Sequence, residues 1–157
     1  MRRIATTAAA VIAVTLALVG CAPADSETRA PEGPNGYTLS ASFDGHELWW
    51  DRSTESGMTD LIVEDADGFR VGTCLSAEPI YCLSGENEAK VVLVIGPEGA
   101  ERAVMHWFGE DVELVRGEAS GEGAPPVFGA IMPPIADESA GFQLEVLDGA
   151  GAVVFTS

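Results

Sequence analysis

From Tyr37 onward, apolar and polar residues alternate in short runs broken by Gly, Asp and Pro. Side chains of extended backbone point to opposite faces in turn, so this period of two predicts strands. Candidate strands cover residues 37–43, 46–51, 59–64, 69–75, 90–95, 102–108, 111–115, 127–132, 141–147 and 152–155. Alternation places Leu39 and Phe43, Leu48 and Trp50, Leu61 and Val63, Phe69 and Val71, and Phe142, Leu144 and Val146 toward a core. Residues 90–95, KVVLVI, are apolar on both faces, as a central strand requires. Between the runs, Asp44-Gly45, Asp65-Ala66-Asp67-Gly68 and Asp148-Gly149-Ala150-Gly151 supply the residues that hairpins use for positive φ and for side-chain bonds to the local backbone. No helix-length amphipathic stretch competes.

So many strands without helices to cover them predict two packed antiparallel sheets over residues 37–157: an all-β, immunoglobulin-like β-sandwich. A small closed β-barrel is the other arrangement that alternation allows. The stretch from Lys90 to the C-terminus also resembles the layout of uncharacterised exported proteins of high-GC bacteria. The strand and turn Val91-Val92-Leu93-Val94-Ile95-Gly96-Pro97-Glu98-Gly99-Ala100 and the last hairpin, residues 144–153, carry that resemblance. It implies a β-sandwich and no activity.

The first 36 residues read as an address and a tether. Met1-Arg2-Arg3 is positively charged, and Ile4 to Gly20 follows without a charge, which is the layout of an export signal. Leu18-Val19-Gly20-Cys21 resembles the lipobox of bacterial lipoproteins. The resemblance implies cleavage after Gly20, a diacylglyceryl group on the Cys21 sulfur and acylation of the new amine. It places the protein on the extracytoplasmic face of the cell membrane, lipid-anchored. Two or three chains hold a protein stably there, at about 0.8 kcal/mol per buried CH2, where one chain does not. A retained transmembrane helix and a plain secretory signal are the alternatives. Residues 22–36, rich in Pro and Gly and poor in apolar bulk, are expected to be a flexible linker. The expected division is therefore signal peptide 1–20, lipidated Cys21 and linker 21–36, sandwich 37–157.

Composition narrows the partners. With 8 Lys+Arg against 25 Asp+Glu the formal net charge is −17, and no basic cluster exists beyond Arg2-Arg3. Binding to nucleic-acid phosphates, which depends on clustered cations, is excluded as an expectation. Once Cys21 is lipidated, Cys74 and Cys82 are the remaining pair, and an exported chain can oxidise them, so a disulfide is expected. Their spacing matches neither CxxC redox motifs nor the usual zinc spacings.

Catalytic motifs fail on named residues. His46-Glu47-Leu48-Trp49-Trp50 begins like HExxH, but Trp50 stands where the second His belongs. Glu118 occupies the first glycine position of a nucleophile elbow around Ser120, and Pro126 the third glycine of a dinucleotide loop. Met105 and His106 are strand neighbours facing opposite ways, so they cannot share a copper ion. The Asp65–Asp67 run lacks the first and twelfth ligands of an EF-hand. No catalytic residue, metal site or cofactor is expected.

If Leu48 and Trp50 face inward, Trp49 shares the outer face with Glu47 and Asp51, and such a tryptophan can stack on a sugar or anchor a protein. Coverage by the 53–58 loop, or a one-residue register error, would remove it from solvent. The expected function is a non-catalytic envelope lipoprotein with a structural or protein-interaction role, contacting other envelope proteins. The alternative is a binding module for a small ligand, glycan or calcium, using Trp49, Glu47 and Asp51.

Overall fold

A computed structural model describes residues 33–85, 90–121, 123–135 and 138–157. The expected signal peptide, the expected lipidation site Cys21 and the expected linker through residue 32 lie outside the described residues. Among the described residues twelve strands form three four-stranded antiparallel sheets. The first sheet is a meander of β1 (Thr38–Phe43), β2 (His46–Arg52), β3 (Thr59–Glu64) and β4 (Arg70–Ser76), paired in that order. The second contains β5 (Ile80–Ser84), β6 (Lys90–Ile95), β9 (Val115–Gly117) and β10 (Val127–Met132), in the order β5-β6-β10-β9. The third contains β7 (Ala100–Trp107), β8 (Glu110–Glu113), β11 (Phe142–Asp148) and β12 (Val153–Thr156), in the order β12-β11-β7-β8.

The second and third sheets reproduce an immunoglobulin-like sandwich. Taking β5 as strand A, their orders become A-B-E-D and G-F-C-C′, the two faces of that fold. The sandwich is open, with no closed barrel. The expectation of two layers is corrected to three, because the β1–β4 sheet covers the outer face of the second sheet. Strand β6 makes this possible. Its Val91, Leu93 and Ile95 pack with Phe43, Leu48, Trp50, Leu61 and Val63 of the first sheet. Its Val92 and Val94 pack with Ala103, Met105, Trp107, Leu144 and Val146 of the third. A strand buried on both faces has no polar position to alternate with, which is why 91–95 is wholly apolar.

Both edges of the first sheet are fastened to edges of the second. At β4 and β5 the Cys74–Cys82 disulfide closes the seam, and the Ser84 hydroxyl accepts from the Thr73 N–H at 3.4 Å and donates to the Thr73 carbonyl at 3.3 Å. At β1 and β9 the Glu118 N–H donates to the Ser40 carbonyl at 2.8 Å. Gly117 is required here: a Cβ would stand 2.2 Å from Ser40 Oγ.

Three inward assignments are corrected. The register slips between Leu39 and Ala41, so Leu39 pairs with Trp49 on the outer face while Phe43 keeps its place in the core. Phe69 is 69% exposed, because it ends the Asp65–Gly68 turn and β4 begins one residue later. Phe142 opens β11 at the sheet rim, 42% exposed, against Trp107 and Tyr81. The Asp-Gly turns form as their chemistry demands. Asp65 Oδ1 accepts from the N–H groups of Asp67 and Phe69, and Asp148 Oδ1 from those of Ala150 and Ala152. Asp44 and Gly45 both take positive φ, the two-residue hairpin geometry.

Candidate functional site

The three residues singled out for binding do share a face. Glu47, Trp49 and Asp51 lie on the outer side of β2, opposite Glu64, Ile62 and Asp60 of β3. The aromatic ring, however, is not open to solvent: Trp49 is only 6% exposed. A changed register is not the cause, since Trp50 remains in the core. A Cβ at Gly33 would lie 2.2 Å from Trp49 Cε3, so only glycine allows the chain to rest on the ring there. The 3-10 turn Pro34–Gly36 follows at once, and the Gly33 N–H donates to the Tyr37 carbonyl at 2.7 Å. Residues 33–36, expected to be flexible linker, thus belong to the fold. Tyr37 fixes their end by donating to Asp60 Oδ2 at 2.5 Å, a bond that, with burial, pushes the phenol up to about 12. Glu47 and Asp51 stay exposed, each opposite another carboxylate.

A concave site exists elsewhere, at one end of the first and second sheets, where four connections converge: residues 53–58, 77–79, 96–99 and, in the fourth, 118–121 with 123–126. Two adjoining cavities of about 650 and 480 Å³ share Arg52, Gly121 and Ala124 in their walls. The first is polar, with Trp50, Asp51, Ser53, Thr54 and Ser120; the second runs between Pro79, Pro97, Pro125 and Pro126, with Glu78 and Glu98.

These walls are preformed by local chemistry. The 53–58 loop closes on itself: the Ser53 N–H donates to the Met58 carbonyl at 3.0 Å, the Gly57 N–H to the Ser53 carbonyl at 2.8 Å, and the Ser56 N–H to Ser53 Oγ at 3.2 Å. The 77–79 connection is held by the disulfide around it and by the Glu78 N–H on Ser76 Oγ at 3.0 Å. The Gly96 N–H donates to the Pro126 carbonyl at 2.7 Å, joining the third wall to the fourth. Four prolines with fixed φ stiffen the rest.

Arg52 stands at the division. Its Nη1 donates to Thr59 Oγ1 at 3.3 Å. A Cβ at Gly57 or Gly123 would lie 3.9 and 4.0 Å from its Nη2, so two bare glycine turns flank the guanidinium. Arg102 pairs with Glu113 at 2.9 Å and Arg116 with Glu101. Among the described residues no carboxylate stands at ion-pair distance from Arg52. The loops were legible as polar punctuation, but nothing in the sequence signalled that they meet around one arginine.

The remaining candidates have local roles. His46 Nδ1 lies 2.9 Å from the Asp44 carbonyl, and His106 bridges Asp111 and Glu145 on the third sheet. Trp107, on the strand corresponding to C, is core and donates its Nε1–H to the Pro133 carbonyl at 2.9 Å. Among the described residues no group of three or more His, Cys, Asp or Glu side chains is arranged to hold a metal ion. No family model matches the chain, and neither a curated protein nor a solved structure matches it.

Proposed function

We propose that the chain is a cell-envelope lipoprotein, anchored on the extracytoplasmic face through Cys21, whose immunoglobulin-like ectodomain acts by recognition and not by catalysis. The preformed cleft around Arg52 carries this reading: it is concave, of ligand size, rigid-walled and charged at its centre. The tether suits it. Cys21 precedes Gly33 by twelve residues, so the point where the chain enters the fold stays within roughly 40 Å of the bilayer at full extension. The test is the melting temperature of the ectodomain with soluble wall sugars, amino acids and short peptides, for the wild type and for Ser120→Trp, which fills the cleft. At least one ligand should raise the wild-type value and leave the variant unmoved. If no ligand acts, or if both proteins respond alike, the reading fails.

A second reading, docking of another envelope protein, is favoured by the third sheet. Its edge strand β12, VVFT, carries no charge, and Val153 and Val154 are exposed on it. An uncharged open edge invites strand addition. Crosslinking on intact cells from position 156, exposed on the same strand, should then recover a protein neighbour that a Val154→Lys variant loses.

A further inference from the structure

The proportions of charge around Arg52 narrow the class of ligand; this deepens the recognition reading and rests on it. Among the described residues Arg102 and Arg116 are claimed by the chain's own carboxylates, whereas Arg52 and the exposed Arg70 have none at ion-pair distance. Arg52 is instead held by a hydroxyl, with backbone on either side. A guanidinium offers five donors in a planar fork suited to a carboxylate, and Thr59 engages one nitrogen. The wall that begins at Arg52 and passes Pro79 and Pro97 then presents Glu78 and Glu98, both exposed. A plain anion would be welcomed by Arg52 and repelled by these two and by Asp51, which lines the other lobe. A plain cation would meet the converse.

We propose that the cleft binds a small zwitterion, with its carboxylate on the Arg52 guanidinium and its ammonium toward Glu78 and Glu98. Free amino acids and short peptides with open termini are the class. The combined size of the two lobes admits a molecule of a few residues. Proline walls flanking the acidic side supply apolar contact for small side chains while losing little conformational freedom on binding.

Trp50 lines the larger lobe and reports occupancy. The probe is L-alanyl-L-alanine, compared with its N-acetyl and C-amide forms, followed by tryptophan emission and melting temperature. The free dipeptide should give a saturable change, and each blocked form should bind about tenfold more weakly or worse, the loss expected when one charge-assisted contact is removed. Arg52→Gln should weaken the dipeptide by a similar factor. Glu78→Gln with Glu98→Gln, which leaves Arg52 in place, should weaken the dipeptide while leaving the N-acetyl form unaffected. Equal binding of blocked and free forms, or no saturable response to the dipeptide at concentrations on the order of 10 mM, overturns the proposal. If wall sugars raise the melting temperature while the dipeptide is inert, the zwitterion is wrong and recognition by the cleft stands; if nothing does, both fall.

Discussion

Cys74 and Cys82 belong to different sheets, and their disulfide, with Cα atoms 5.5 Å apart, joins the edge of the added sheet to the first strand of the immunoglobulin-like sandwich. It also closes the short loop that forms one wall of the cleft. Replacing both cysteines by alanine should therefore lower stability by about 2.5 kcal/mol in the chain-entropy model. Urea unfolding of the two proteins measures this. Midpoints that coincide would mean the seam is held by packing and by the Ser84–Thr73 bonds alone.

The opposite seam makes a less intuitive prediction. Among the described residues Ser40 Oγ, buried and facing Gly117, finds no hydrogen-bond partner. A desolvated hydroxyl with no partner costs about 1–3 kcal/mol, so Ser40→Ala should be neutral or stabilising. Gly117→Ala should instead destabilise by about 1–3 kcal/mol, because its methyl must displace Ser40 or part the sheets. Denaturation midpoints that ranked the two variants the other way would refute this account of the contact.

Much of the fold was legible because period-two patterning directly reports which face is dry. Strand β6 announced its double burial, and the Asp-Gly hairpins announced their turns. The third layer was hidden for a physical reason: alternation tells that a face is covered, not which sheet covers it. The break at Leu114 shows the same limit. Residues 111–115 looked like one strand, yet Leu114 turns inward, donates its N–H to the Ala103 carbonyl at 2.9 Å and separates β8 in the third sheet from β9 in the second. Strand β5, IYCLS, was missed because three of its five side chains are half-buried and the other two exposed, so no clean contrast marks it.

The candidate site was legible only in its parts. Trp49 was placed on the correct face with Glu47 and Asp51, but its cover, Gly33 and the turn after it, has no apolar side chain to betray packing. Arg52 carries no local motif at all. Its position follows from four loops far apart in sequence, a relation that exists only after the sheets stack.

His106 gives the fold a pH dependence of definite sign. Its Nδ1 lies 2.6 Å from Asp111 and its Nε2 3.5 Å from Glu145, and the Asp111 bond first, with Glu145 assisting against desolvation, raises it above its ordinary 6.5. A pKa raised on folding contributes stability that is fully present below 6.5 and is lost as pH climbs through the folded value. The ring is well exposed, so the effect is small and falls with added salt. The melting temperature of His106→Gln, relative to wild type, should converge as pH rises across this window. A gap that stays constant would show that the imidazolium does not stabilise the native state.

The central claim is that the four-loop cleft around Arg52 binds a small zwitterion. Amide and indole NMR shifts of the isotopically labelled protein, followed during titration with L-alanyl-L-alanine, test it most directly. The account predicts saturable changes gathered at Arg52, Gly57, Glu78, Gly121 and Gly123 and at the Trp50 indole. Changes centred on Val153 and Val154 instead, or a spectrum indifferent to the dipeptide, would contradict it.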